Sequence, residues 1–417
     1  MRRAGRLMQR GLKIIYLHQY FNSSTMSGGS RSYEMARRWV AAGHEVHMIT
    51  SRREGGGRRK GWDVESVDGL TVHWKSVPYD NTMSFTRRLI AFVSFAVPAG
   101  NRARRLHGDA VFATSTPLTI AIPALYATFL RRTPMVFEVR DLWPELPIAV
   151  GALRNPITKT LARALEALAY RRSKMIVALS DGMAAGVESR GIPSERVVVA
   201  PNACDLDLFG VSDEEGLAFR RRFHWLGDRP FVVYCGTVGV INGVDYLVRL
   251  AAEVQARGEN VVFAIIGSGA KLPAVRNLAV ELQVLDRNLF ILPPVAKSEM
   301  PAVLNAATLC TSLFIPVREM QANSANKFFD ALAAGRPILI NYGGWQARLI
   351  ESQGIGLVVS ASDFSSAADD LIGFLQAPPS IRSRTGMAAR ELGESQFARD
   401  EIADRVLTTI VRATRNR

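Results

Sequence analysis

Residues 13–31 read KIIYLHQYFNSSTMSGGSR, and residues 231–243 read FVVYCGTVGVING. Each opens on a short apolar run, the pattern of a strand buried on both faces. Each then runs through a glycine-bearing loop into an amphipathic stretch, which predicts helices over residues 31–42 and 244–257. Strand, glycine loop and helix in that order open a doubly wound α/β unit. The pattern occurs twice, and 417 residues exceed what one compact core accommodates. Two such units are therefore expected, facing each other across a cleft.

Further strands are expected at 45–50, 110–113, 135–138 and 175–178 in the first unit. The second continues with 261–266, 289–292, 309–313 and 337–340. Charge and irregularity rise at 205–213, which divides the chain into one domain over 12–205 and a second over 206–396. The closing stretch 397–417 has a helical pattern and is expected to pack back on the first domain. Ligands of open α/β sheets gather at the carboxyl ends of the strands, so the cleft is where binding belongs.

Apolar residues make up 48% and charged residues 22% of the chain, so disorder is expected only at its ends, including the basic residues 1–12. The net charge of +14 points to an anionic partner: nucleic acid, an anionic membrane surface or a phosphorylated substrate. Arginines gather around short apolar runs. Arg87 and Arg88 precede residues 89–99 and Arg102, Arg104 and Arg105 follow them, while Arg131-Arg132 and Arg171-Arg172 form further pairs. No stripe of aromatics interleaves with these charges, which argues against nucleic acid. Ordinary solvated charge is the competing reading for many of them. The apolar runs 89–99 and 118–130 each contain a proline and fall short of the ~20 residues a bilayer span needs, so contact with a membrane would be peripheral.

Cys204, Cys235 and Cys310 make no disulfide framework or zinc spacing, and no secretory leader pattern opens the chain. The expectation is a cytoplasmic protein. No HExxH or His/Cys ligand set occurs, and Asp205-Leu206-Asp207 matches a DxD metal motif in letters alone, at a presumed linker. No metal and no cofactor are expected. Gly267-Ser268-Gly269 lacks the third glycine of a dinucleotide fingerprint, and neither a GxSxG elbow nor a P-loop is found.

Residues 322–337, ANSANKFFDALAAGRP, carry the most chemistry. Small polar residues precede an apolar helical face, which makes Ser324 or Asn326 the expected N-cap. A helix N-terminus with free amides suits a diphosphate. Lys327 in the first turn opposes the dipole unless an anion binds there. Asp330, one turn on, is placed to accept bonds from ribose hydroxyls. A capped amphipathic helix with nothing bound accounts for these residues equally well.

Taken with other motifs, this stretch resembles the family-four retaining glycosyltransferases of GT-B fold. The matching features are Gly28-Gly29-Ser30-Arg31, Arg140-Asp141-Leu142-Trp143-Pro144-Glu145, Pro201-Asn202-Ala203-Cys204-Asp205, Gly236-Thr237-Val238-Gly239, Gly267-Ser268-Gly269 and residues 330–337. Their order and spacing, rather than any one of them, carry the likeness. The Asp-Leu-Trp-Pro-Glu element is most similar to the O-antigen and capsule branch that includes fucosamine-type transferases.

The resemblance implies a hexosyltransferase that moves a sugar from a nucleotide-sugar, UDP-linked in the first instance, to a lipid-linked or glycan acceptor in bacterial surface polysaccharide synthesis. It implies retention at the anomeric carbon, no metal, and a place on the inner face of the cytoplasmic membrane. Gly28 and Gly29 would meet the donor from the N-terminal side and Gly236 and Thr237 from the other. Ser324, Ala325, Asn326 and Asp330 would bind the donor, and Val295 would meet the base. Lys327, Arg140 and Asp141 would be catalytic.

Three departures stand out: Ala322 where a first glutamate is usual, Asn242 for a basic residue, and Arg140-Asp141 for a His-Asp pair. A nucleotide-sugar epimerase of the same fold and a silent membrane- or partner-binding scaffold are the rival readings, Ala322 favouring the second.

Overall fold

The structure, a computed structural model, describes residues 11–23, 26, 29–52, 61–78, 83, 85–115, 117–210 and 212–415. Gly28 and the basic residues 1–10 lie outside these. The first sheet is built from β1 (Lys13–Leu17), β2 (Glu45–Arg52), β3 (Trp62–Val67), β4 (Leu70–Ser76), β5 (Ala110–Thr114), β6 (Met135–Val139), β7 (Met175–Ala178) and β8 (Val197–Val199), in the order β3-β4-β2-β1-β5-β6-β7-β8. Seven strands are parallel and β3 runs antiparallel to β4. The second sheet holds β9 (Phe231–Cys235), β10 (Val262–Ile266), β11 (Leu289–Leu292), β12 (Leu309–Ser312), β13 (Ile338–Ile340) and β14 (Gly356–Val358). Its order is β11-β10-β9-β12-β13-β14, parallel throughout. These are two parallel-sheet α/β domains, as the sequence predicts. The β3–β4 hairpin is an addition, turned by Asp68 and Gly69 at φ 48° and 82°.

Apolar strands are covered by apolar helix faces. Ile14 and Tyr16 of β1, Phe112 of β5 and Val136 of β6 pack with Trp39 on one side of the first sheet, joined by Ile402, Val406 and Ile410 of the last helix, Arg399–Arg415. Trp39 stacks on Tyr16 with ring centroids 5.5 Å apart and donates its indole N–H to Ala403 O at 3.0 Å. The other side is covered by Phe95 and Ala99 of the helix Phe85–Leu106, which contains the apolar run 89–99 and Pro98. Truncating one of the large buried side chains here, such as Ile14, Phe112, Phe95 or Ile402, to alanine costs about 2–5 kcal/mol.

The chain crosses between the sheets near 200–205 and returns near 397–399. The crossings are joined by Cys204 N to Phe397 O at 2.8 Å and Arg399 N to Cys204 O at 3.2 Å. Arg31, the first residue of the helix Arg31–Ala41, is buried beside them. Its guanidinium pairs with Glu138 at 2.9 Å and donates to Ala200 O at 2.9 Å and to Pro201 O. A buried arginine is tolerated where its donors are met in this way. The start of the helix Arg31–Ala41 is thus tied to the interdomain crossing.

Candidate functional site

The carboxyl end of β9 opens into Gly236, held at φ 139°, a conformation that glycine alone adopts readily. Its N–H donates to Ile266 O at 2.9 Å, and Val238 N donates to Ser268 O at 2.8 Å, so the two glycine loops lie backbone to backbone. A Cβ on Gly267 would stand 1.9 Å from Gly236 O, which explains Gly267-Ser268-Gly269 by packing. A Cβ on Gly236 would stand 2.7 Å from Lys327 Cε. The glycine makes room for the lysine. Thr237 accepts the Tyr234 hydroxyl on its carbonyl at 2.7 Å.

Lys327 lies in the first turn of the helix Asn326–Ala333, half-buried, with Nζ 5.0 Å from the centroid of Tyr234. Among the described residues no carboxylate pairs with it. Burial pulls its pKa down to about 8, opposed by Cys235 and Asp330. The expected cap is corrected here: the N-cap is Ala325, and no side chain caps this end. Ser324 is taken by the domain junction, where its hydroxyl accepts Asn202 N at 3.0 Å and its carbonyl accepts the Asn202 amide. Asn326 is already helical. Its side-chain nitrogen is 3.5 Å from where a Cβ on Gly29 would stand, so the first domain's loop meets this helix start across the cleft.

Asp330 is not free. Lys297 Nζ holds its Oδ1 at 2.9 Å, and the same ammonium lies 4.0 Å from Asp205 and over the ring of Phe209. Lys297 opens the short turn Lys297–Glu299, and nothing in the sequence around it points to this role. Asp205 is buried against Arg399, a structural role that the DxD letters conceal. Val295, in the loop after β11, is half-buried against the second domain's core. Among the described residues no three His, Cys, Asp or Glu side chains gather as a metal site.

Arg140 and Asp141 follow β6 on the first-domain side. Arg140 N donates to Ser115 Oγ at 2.9 Å, and burial raises the pKa of Asp141 against the pull of Arg140. Among the described residues neither bonds to Lys327 or Asp330. The helix Glu145–Ala149 after them rests on the turn Arg318–Ala322 of the second domain. At that contact Ala322 O accepts the Ser180 hydroxyl at 2.6 Å, and a Cβ on Gly182 would stand 3.0 Å from Ala322 Cβ. Residue 322 is therefore a packing position in the domain seam. The structure brings Gly29, Asn326, Lys327 and Gly236 together, with Thr237 and Asp330 adjoining. It places Ser324 and Ala325 in the seam and core.

Residues 28–203 match the glycosyl transferase 4-like domain, and residues 229–377 match the glycosyl transferases group 1. Both halves of the chain are glycosyltransferase domains of the GT-B type. Among curated relatives, the probable glycosyltransferase WbjE of Pseudomonas aeruginosa is 26% identical over 63% of this chain, and the match spans 64% of that relative's length. A GDP-mannose-dependent alpha-(1-6)-phosphatidylinositol monomannoside mannosyltransferase of Mycolicibacterium smegmatis is 26% identical over 70% of this chain and 74% of its own length. Alpha-D-kanosaminyltransferase of Streptomyces kanamyceticus is 24% identical over 60% of this chain and 63% of its own. In fold, this glycosyltransferase chain is similar to sucrose-phosphate synthase of Thermosynechococcus elongatus, with a TM-score of 0.73 at 15% identity over 97% of this chain and all of that one. It is similar also to Anabaena Alr3699/HepE in complex with UDP-glucose, with a TM-score of 0.69 at 15% identity over 96% of this chain and all of that one.

Proposed function

We propose that this chain transfers a sugar from a nucleoside diphosphate sugar to a lipid-linked or glycan acceptor, with retention at the anomeric carbon. One observation carries the reading. Lys327 is an ammonium that burial penalises, set at an uncapped helix N-terminus with Gly236 cleared to admit it and no carboxylate paired with it among the described residues. Amides, dipole and ammonium converge on one place, and a diphosphate is the anion that suits all three.

In this reading, residues 206–396 bind the donor, 12–205 present the acceptor, and 397–417 return to the first domain. Gly28, Gly29, Gly236 and Thr237 line the donor, Val295 meets the base, and the free oxygen of Asp330 accepts from the ribose. Ser324 and Ala325 act through the backbone that leads into the helix. As the bond from sugar to phosphate breaks, charge grows on the departing diphosphate. Lys327 and the amides then stabilise it more in the transition state than before, without a metal. Arg140 and Asp141 meet the transferred sugar from the facing wall, and cleft closure aligns the acceptor hydroxyl.

UDP as the nucleotide is supported by a structural neighbour solved with UDP-glucose, while one relative is named for GDP-mannose. The Asp-Leu-Trp-Pro-Glu element and the likeness to a kanosaminyltransferase support an amino-sugar. A lipid-linked acceptor, met at the inner face of the cytoplasmic membrane in surface polysaccharide synthesis, is supported by the helix Phe85–Leu106. Ile90, Val93 and Val97 stand 63%, 49% and 61% exposed on it. Apolar exposure in a row suits an interfacial helix. The flanking arginines need correction. Arg102 donates to His73 and Arg104 to the carbonyls of Tyr126 and Phe129, Arg105 is exposed, and the side chain of Arg88 lies outside the described residues.

Calorimetry with UDP and GDP, in buffer with EDTA, tests the donor assignment. The expected result is tighter UDP binding unaffected by EDTA; absence of binding by either nucleotide overturns the reading.

A further inference from the structure

A second cavity, of about 1310 Å³, lies at the opposite end of the first domain, beneath the amino ends of β6 and β7 at Met135 and Met175. Ligands of open parallel sheets gather at the carboxyl ends, so this cavity is separate from the transfer site. Arg132, Arg171, Arg172, Lys174 and Arg412 all line it and all are exposed. Among the described residues none of the five has an acidic partner, and Glu195 is the one carboxylate in the lining. Arg171 and Arg172 complement one helix C-terminus and Arg412 another. Gathered around one cavity, the five cations repel one another and leave a positive field in want of an anion.

The rim is apolar and held in place. Phe129, Leu130 and Leu168 are 53%, 86% and 45% exposed there. Leu130 sits at φ 54°, the left-handed region that a leucine seldom enters, and a residue kept there at a cost marks a constrained feature. Two arginines brace the turn. Arg104 donates to Tyr126 O and Phe129 O at 3.0 and 3.1 Å, and Arg131 donates to Arg104 O at 2.9 Å. Those contacts spend Arg104 and Arg131 and turn Phe129 and Leu130 outward.

We propose that this cavity binds the phosphate head group of an anionic phospholipid, with the acyl chains lying over Phe129, Leu130 and Leu168. The proposal rests on the membrane reading above and adds to it the site that selects the lipid. Long cationic side chains with an apolar skirt fit a phosphodiester at a bilayer surface.

The test uses flotation of the full chain with phosphatidylcholine vesicles, with and without phosphatidylglycerol. Wild type should float only with phosphatidylglycerol. R132Q/R171Q/R172Q/K174Q should lose that binding at least about tenfold, each cation being worth about 1 kcal/mol near an anionic surface. Its melting temperature should be unchanged or higher, since repulsion is relieved. R249Q/R276Q/R287Q/R348Q, the same charge change on exposed residues of the second domain, should float like wild type. Wild-type flotation by the first variant, or equal loss by the second, overturns the cavity and leaves peripheral membrane binding standing. Flotation by neither vesicle overturns both and leaves the nucleotide reading of the cleft untouched. Displacement from vesicles by inorganic phosphate at its ordinary cellular level would instead make the cavity a soluble-phosphate site and refute the lipid assignment.

Discussion

Burial pulls the pKa of Lys327 down to about 8, and a bound diphosphate should restore its proton. If the bound lysine titrates near its ordinary value of about 10.4, the affinity for UDP depends on the fraction already protonated in the free protein. That fraction is about nine in ten at pH 7 and about one in four at pH 8.5. The dissociation constant should therefore rise about fourfold over this interval, or about 0.8 kcal/mol. Binding should take up about 0.8 proton at pH 8.5 and about 0.1 at pH 7. Titration calorimetry in two buffers of different ionisation enthalpy reads this uptake directly. Lys327→Met should abolish it and should weaken UDP at both pH values. The same variant should be more stable at pH 7. The native pKa lies below the unfolded value, so the penalty for the charged form is full below about pH 8 and disappears as pH rises toward 10.5. Relief amounts to about 3 kcal/mol at most. No proton uptake at pH 8.5, or the same uptake in Lys327→Met, would refute the assignment of this lysine to the diphosphate.

Asp330→Ala should weaken UDP about tenfold or more, because a charge-assisted bond to a hydroxyl is worth about 1.5–3 kcal/mol; unchanged affinity by calorimetry removes Asp330 from the site. Arg31→Ala leaves Glu138 buried without its cation and should cost about 3–5 kcal/mol, read as a lower urea midpoint. His73, buried and close to Arg102, His47 and Lys13, has its pKa driven down to about 3, by burial first. The unfolded chain binds the proton first, so stability is full above pH 6.5 and falls as pH drops toward 3, by up to about 2 kcal/mol at pH 5. Urea unfolding of His73→Gln at pH 7 and pH 5 should show a smaller difference than wild type.

Most strands of both sheets were legible because parallel strands buried on both faces read as unbroken apolar runs, as in β9 and β10, whereas β8 and β14, three half-buried residues each, went unread. The hairpin of β3 and β4 carried its own signal, Asp68-Gly69 between alternating residues, but β3 is half exposed and lacks an apolar run. At the site, Gly236 and Lys327 were legible as types at a spacing. Their mutual approach was not, since it depends on how β9 and a helix ninety residues on are packed. The cap failed for a tertiary reason: Asn202, far away in sequence, claims Ser324. Lys297 was invisible for the same reason, and so was the seam that fixes residue 322 as alanine.

The central claim is that the cleft holds and cleaves a nucleotide-sugar. Phosphorus NMR of the full chain with UDP-linked amino-sugars and hexoses, bacterial membranes supplying the acceptor, tests it most directly. At least one donor should yield free UDP with wild-type protein, release should persist in EDTA, and Lys327→Met should reduce it by a hundredfold or more, about 2.7 kcal/mol of transition-state charge stabilisation. Equal release by wild type and Lys327→Met, or no release from any UDP- or GDP-sugar, would contradict it.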